Sequence, residues 1–313
     1  MPMKDSNGVY RFAWVTAGAT FVLIVLGALV TSNEAGDSVP DWPTAFGRWL
    51  PLEQIVGNVV YEYTHRVVAA SVGLLTLLLN VVLWWKEERA WVRRLGLIAL
   101  LAVLGQALLG GARVLFVEHR FAFALLHAFM AQLFFSLVVS VVVVTSPGWR
   151  RVERITSEVH LPPYLPRLCG AAILGLFVQL LLGAGFRHRG MGILPHIVGA
   201  VGVSAVILAI VWSVRRAARE HGAEMRVISR PMGWIAGLLG AQLGLGIAAY
   251  LARRAARFDP QPLEPMISLT VAHVACGALL LAAVLVLAWR TFWLSGVRRG
   301  APVLQPAEGS VSR

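Results

Sequence analysis

The 313-residue chain is poor in charge, with Asp, Glu, Lys and Arg making up only 14% of it, and it contains just two cysteines. Together with 58% hydrophobic residues and a mean hydropathy of +0.71, that scarcity of charge excludes an ordinary water-soluble globule. Cys169 and Cys276 both lie in apolar stretches, so neither a disulfide framework nor a four-cysteine zinc site is available. Acids are scarcer than bases, 16 against 28, for a formal net charge of +12. The bases fall in short clusters between apolar runs, as arginines flanking membrane spans do, which argues against nucleic acid as a partner. The first apolar run lacks a small-residue cleavage site after a short core and reads as a retained helix rather than a signal peptide.

What the chain has in abundance is long apolar segments. Eight are long enough to cross roughly 30 Å of hydrocarbon at about 1.5 Å per residue. They run from Phe12 to Ser32, Val59 to Trp85, Leu95 to Arg113, Phe121 to Val144, Leu168 to Phe186, Ile193 to Val214, Met232 to Leu251 and Ile267 to Phe292. Membrane barrels are built from shorter segments of alternating polarity, so helices remain as the way to satisfy the backbone in lipid. The expected fold class is all-α, a polytopic membrane protein of eight transmembrane helices.

Basic residues counted loop by loop predict the orientation. The stretches Lys86 to Arg94, Arg150 to Arg167 and Arg215 to Arg230 hold four, four and five Lys or Arg. The alternate loops, Asn33 to Gly57, Arg113 to Arg120, Arg187 to Gly190 and Arg253 to Pro265, hold one, two, two and three. Retention of positive charge inside the cell puts both termini in the cytoplasm. The first outer loop is net acidic, with Glu34, Asp37, Asp41 and Glu53 against Arg48, and its prolines and aromatics predict an ordered segment able to cover a site. The tail from Gly300 to Arg313, rich in Pro, Ser and Gly without periodicity, is expected to be disordered.

An internal repeat emerges when the spans are aligned. Three odd-numbered spans carry Gln-x-x-x-Gly near the outer face: Gln106 with Gly110, Gln179 with Gly183, and Gln242 with Gly246. Each precedes an outer loop and then a span bearing histidine. Gly27, ahead of His65, is a degenerate fourth copy. The division this predicts is two pseudo-symmetric four-helix bundles, residues 1–157 and 158–313, joined by the cytoplasmic loop around Pro162 and Pro163.

Eight histidines divide evenly. His119, His160, His188 and His221 fall in loops and read as solvated or interfacial side chains. His65, His127, His196 and His273 fall at the starts of the second, fourth, sixth and eighth spans, at similar depth near the outer leaflet. Ionisable groups inside a span are costly and point to function. Imidazoles facing one another inside a helical bundle suit bis-histidine ligation of haem iron. Each has a small residue four positions on, Ala69, Ala131, Ala200 and Gly277, giving room for a flat macrocycle. Zinc is disfavoured because no carboxylate or cysteine accompanies each histidine at ligand spacing, and Cys276 reads as a packing residue.

The two halves differ in one acid. Glu62 stands three residues before His65, on the same helix face, and neither His196 nor His273 has such a neighbour. A carboxylate there can orient the histidine, move protons or stabilise developing positive charge; the plainer reading is an ion pair with Arg66. The outer-loop arginines, Arg113, Arg120, Arg187, Arg189, Arg253, Arg254 and Arg257, are placed to meet haem propionates, or serve simply as membrane-flanking charges.

These residues together resemble haem A synthase. The resemblance rests on Glu62-Tyr63-Thr64-His65-Arg66, Leu126-His127-Ala128, Pro195-His196-Ile197-Val198-Gly199, Ala272-His273, and the first-loop segment Gly36-Asp37-Ser38-Val39-Pro40-Asp41-Trp42-Pro43. It extends from about Phe12 to Trp293. It implies a bacterial plasma-membrane enzyme that oxidises the C8 methyl of haem O to the formyl group of haem A in two successive steps, for cytochrome oxidase. By similarity, His196 and His273 ligate a resident haem b in the C-terminal half. His65 and His127 flank the substrate haem O in the N-terminal half, with Glu62 essential to the chemistry. The implied partners are haem O, a haem O synthase, cytochrome oxidase assembly factors, an electron donor the sequence does not identify, and membrane lipid; a homo-oligomer is compatible with this reading. Many members carry a cysteine pair in the first outer loop, which residues 33–57 lack. The alternative is a dihaem b-type electron-transfer cytochrome with permanent redox centres in both halves. A transporter ranks last, because the midplane of the spans is nearly free of charge.

Overall fold

A computed structural model of the chain describes residues 6–153, 161–188, 190–255 and 263–300. Eight long helices dominate it: α1 (Ser6–Ser32), α2 (Asn58–Lys86), α3 (Ala90–Leu115), α4 (Arg120–Thr145), α5 (Leu165–Arg187), α6 (Leu194–His221), α7 (Met232–Ala255) and α8 (Glu264–Gly300). Each contains a stretch long and apolar enough to cross a membrane. The chain is a multi-pass membrane protein, with the eight spans expected from its apolar runs. Among the described residues the only β pairing is an isolated bridge between Ala45 and Arg48. The expected disordered tail starts at Gly300, which here ends α8; its residues 301–313, and residues 154–160 with the expected division at 157 and 158, lie outside the described residues.

Several helices overrun their apolar cores. α2 begins at Asn58 and α8 at Glu264, because polar residues beyond the hydrocarbon can still complete the backbone ladder. The histidines therefore lie deeper in their helices than the apolar limits suggest. His65 and His127 are each about two turns from the helix start, and His273 lies deeper still, whereas His196 falls in the first turn of α6, behind Pro195.

The helices pack mainly with their chain neighbours: α1 with α2 and α4, α2 with α3, α3 with α4, then α5 with α6, α6 with α7, and α7 with α8. α8 also closes against α5, α1 and α4, and α4 touches α5. One apolar cluster joins residues of α1 to α4 with Trp149 and Ala278; the other joins α5 to α8 with Val152, Leu161, Met225 and Ile228. Burial is uneven along the helices. In α4 the buried run is Phe134 to Thr145, beyond His127, and in α6 it begins at Val203, beyond His196. Dense packing thus lies at the end away from the four histidines, and their own end is more loosely filled. A cavity of about 160 Å³ bordered by Tyr10, Trp14, Ser146, Trp149 and Arg290 lies at the densely packed end.

Candidate functional site

The four span histidines sit in four copies of one local arrangement, each pressed against a glycine of the preceding helix. A methyl group built on Gly27 would stand 3.1 Å from Cε1 of His65, and one on Gly110 would stand 3.2 Å from Cε1 of His127. On Gly183 and Gly246 it would stand 2.9 Å from Cε1 of His196 and of His273. In every copy Nδ1 lies nearer the glycine than Nε2 does. The missing side chain is the space that the Nδ1–Cε1 edge of the ring occupies.

The residue one turn before each glycine completes the cradle. Gln106 Nε2 donates to the His127 carbonyl at 3.0 Å, and Gln179 Nε2 donates to the His196 carbonyl at 2.8 Å. Gln179 Nε2 is also 3.0 Å from His196 Nδ1. His273 Nδ1 lies 3.1 Å from the Gln242 carbonyl oxygen, and its Nε2 is 3.3 Å from the Gln242 amide nitrogen. In His273 an Nδ1–H held by the Gln242 carbonyl leaves Nε2 as the lone-pair nitrogen, the tautomer needed of a metal ligand, whereas the Gln179 amide can only donate to Nδ1 of His196. The imidazoles of His65 and His127 face the carbonyls of Leu23 and Gln106, yet Nδ1 of each has no partner at hydrogen-bond geometry. Oε1 of Gln106, Gln179 and Gln242 is likewise buried and unpartnered.

The rings form two couples, of which His196–His273 is the one in direct ring contact. His196 and His273 approach edge to face, with centroids 6.3 Å apart and planes at 75°. His65 and His127 are close enough to interact electrostatically. Metal–nitrogen bonds of about 2 Å on either side of one ion would set two imidazole centroids about 6 Å apart, so the His196–His273 couple has the spacing of a two-nitrogen metal site. Among the described residues no group of three or more His, Cys, Asp or Glu side chains gathers at one point. Each couple supplies two nitrogens, and a porphyrin supplies the remaining coordination positions itself. The loosely packed histidine end, the orphaned polar atoms and the glycine cradles fit such a group.

Glu62 is buried, 5% exposed, and both of its oxygens are engaged. Oε2 accepts the backbone N–H groups of Ser38 (2.9 Å) and Val39 (3.0 Å), and Oε1 pairs with Arg66 at 2.7 Å. Arg66 donates onward to the carbonyls of Asp41 (2.7 Å) and Thr44 (3.0 Å). The first loop is therefore ordered, as its composition predicted, and it is seated on α2 by the acid and base flanking His65. Asp41 folds the loop on itself: its carboxylate accepts from the Thr44 hydroxyl and from the Phe46 and Gly47 N–H groups. Although burial opposes it, those bonds hold the Asp41 carboxyl below the usual carboxylate range. On the far side, Trp42 packs on Gly111, Arg113 donates to the Gly36 carbonyl at 3.3 Å, and Arg120 pairs with Asp37 at 2.7 Å. The loop spans from the helix of His65 to the end of the helix preceding His127.

The second couple has no such cover among the described residues, but it has Arg187. Its Nη2 donates to the Ala28 carbonyl at 3.0 Å and to the Ser32 hydroxyl at 2.6 Å, crossing to α1 from the last turn of α5. His188, expected as a solvated or interfacial side chain, caps α5 and is partly buried. Burial, with the nearby Arg187 and Arg113 guanidiniums, pushes its pKa down to about 4. His119 is exposed as expected, His221 ends α6 rather than lying in a loop, and His160, Arg189 and Arg257 lie outside the described residues. The Glu62–Arg66 ion pair is the plainer reading the sequence offered; the bonds from Arg66 to Asp41 and Thr44 and the partial burial of His188 were not legible there. Cys276 is buried, with its sulfur 3.5 Å from the Leu238 carbonyl, in keeping with a packing residue.

Comparison with known proteins bears on what this arrangement belongs to. The chain is similar to the haem A synthase of Shouchella clausii, 31% identical over 134 residues, covering 42% of this chain and 44% of that protein. It is 36% identical over 136 residues to the haem A synthase of Lysinibacillus sphaericus, covering 40% and 44%. It is also 27% identical over 259 residues to that of Symbiobacterium thermophilum, covering 73% and 81%. The first two matches span less than half the length of each relative. A family model described as cytochrome oxidase assembly protein matches residues 10–194, a stretch that includes Glu62, His65 and His127 and ends two residues before His196. Because that match takes in more than half of its residues, the chain belongs to the cytochrome oxidase assembly protein family, as its resemblance to haem A synthases implied.

Proposed function

We propose that this protein is a haem A synthase, converting the C8 methyl of haem O to a formyl group in two successive oxidations, in the plasma membrane of a bacterium. In this reading both termini are cytoplasmic and the histidine end faces the periplasm. The C-terminal half, residues 158–313, holds haem b on His196 and His273. The N-terminal half, residues 1–157, holds haem O between His65 and His127. The observation that carries the reading is the fourfold glycine cradle, which aims imidazoles in two couples within a chain of this family.

When bound, haem b supplies one-electron redox chemistry. The chain's own residues do the rest. Gln242 offers its carbonyl to Nδ1 of His273, and Gln106 and Gln179 tie down the backbone carbonyls of His127 and His196, which fixes the helix turns that would present these imidazoles to a ligand. Glu62 and Arg66 seat the first loop over the substrate couple, which limits water there. Glu62 also keeps a negative charge one turn from His65, where it can accept a proton or balance developing positive charge. A haem O synthase and cytochrome oxidase assembly factors are the expected neighbours.

Co-expression with a haem O source, followed by chromatography of the extracted haems, tests the reading. The expected result is haem A or its hydroxylated precursor, lost in Glu62→Ala. Two unmodified haems per chain would instead make the protein a b-type electron carrier.

A further inference from the structure

Arg187 is a buried-end guanidinium with polar partners but no acid. Its hydrogen bonds, to the Ala28 carbonyl and the Ser32 hydroxyl, both come from Nη2 and go to neutral acceptors on α1. Among the described residues no carboxylate forms an ion pair with Arg187 or Arg253. Arg253, in the last turn of α7, lies close enough to act on Arg187 electrostatically, and its guanidinium stands 5.4 Å from the Phe186 ring centroid. Two like charges are thus gathered at the ends of α5 and α7, and Arg187 is close enough to His273 to act on its ring as well. In the first couple the counterpart differs: Arg113 has Asp37 at 3.9 Å, and Arg66 has Glu62. Uncompensated guanidiniums at a partly buried site call for an anion, and a planar donor fork matches a carboxylate.

We propose that Arg187, with Arg253 beside it, binds a propionate carboxylate of the porphyrin held by His196 and His273, and so ties that group to α1 of the other half of the chain. This rests on the haem b reading above. Arg187 then acts as a bridge, with one face of its guanidinium committed to Ala28 and Ser32 and the remaining N–H groups given to the ligand. Among the described residues it is the arginine of the histidine end whose bonds to α1 fix it in place before any ligand arrives.

The test uses the full-length protein, freed of porphyrin in detergent and titrated with iron protoporphyrin IX or with its dimethyl ester, which has no carboxylates. The wild type is expected to favour the free acid by about tenfold or more, the loss expected for a charge-assisted hydrogen bond. Arg187→Gln is expected to remove most of that preference and to lower the midpoint potential of the bound haem, because a positive charge near the iron is gone. Arg187→Lys is expected to keep part of the preference. Equal binding of acid and ester by the wild type overturns the proposal without any variant, and so does full preference with an unchanged potential in Arg187→Gln. If Arg187→Gln does not accumulate, Arg253→Gln is read in the same way. Porphyrin binding that survives unchanged in His196→Ala would sink the haem b reading itself, and this inference with it.

Discussion

The two histidine couples share a cradle and differ in everything around it. His65 and His127 lie beneath an ordered loop latched by Glu62, Arg66, Arg113 and Arg120. His196 and His273 have no acid at the Glu62 position and instead gather Arg187 and Arg253, which have no carboxylate partner among the described residues. A site closed by a polar latch suits a ligand that must enter, react and leave, because backbone hydrogen bonds to one carboxylate can break and reform. A site with unmatched positive charge suits a ligand that stays and brings its own anion. Duplicated helix geometry thus leaves chemical difference to the connecting loops and helix ends.

The largest expected effect separates the couples outright. His196→Ala or His273→Ala should reduce the haem retained on purification by about tenfold or more, whereas His65→Ala or His127→Ala should spare that haem and abolish conversion of haem O. Pyridine haemochrome assay and chromatography of extracted haems read the two results.

The cradle gives a graded version of the same comparison. Alanine at Gly183 or Gly246 places its methyl 2.9 Å from Cε1, tighter than the 3.1 and 3.2 Å at Gly27 and Gly110. The ring must tilt to accept it. Gly183→Ala and Gly246→Ala should therefore shift the absorption spectrum of the bound haem and weaken its retention severalfold, and Gly27→Ala or Gly110→Ala should leave that spectrum alone while slowing conversion.

The latch is expected to matter locally. Glu62→Gln removes the charge that holds Ser38, Val39 and Arg66, at a cost of about 1–3 kcal/mol. Amide hydrogen exchange at Ser38 and Val39 should speed up about tenfold or more, with no change in haem bound by the second couple. Unchanged exchange would mean that the loop is held by Asp37, Trp42 and Gly36 instead.

The smallest effect is electrostatic. His188 is neutral in the fold down to about pH 4, against an ordinary value of 6.5, through burial and the Arg187 and Arg113 charges. Its contribution to folded stability is therefore complete above pH 6.5 and is lost as pH falls from there toward 4. Imidazole NMR should find it unprotonated at pH 6, and Arg187→Gln should move its titration upward.

Much of this was readable from residue order. Eight spans follow from apolar runs, and the register of Gln-x-x-x-Gly with the following histidine follows from spacing, because a helix translates sequence interval directly into depth. The glycine–imidazole contact was implicit in that register. Other contacts were not readable. The bonds from Arg187 to Ala28 and Ser32 join residues 159 and 155 positions apart, and nothing in local composition selects those partners over others. Likewise, Glu62 beside His65 suggested either catalysis or an ion pair with Arg66. That its second oxygen is taken up by Ser38 and Val39 depends on how a 25-residue loop returns to its helix.

Sequence by itself determined the membrane fold, since hydrocarbon thickness and the helical rise leave little freedom in the length of a span, whereas how far each histidine lies from its helix start came from the structure. Rotation and neighbour choice around each axis were decided only in the tertiary structure. In lipid every apolar helix face is nearly as well solvated as any other, and it is side-chain fit, glycine against imidazole and guanidinium against carbonyl, that selects which faces meet.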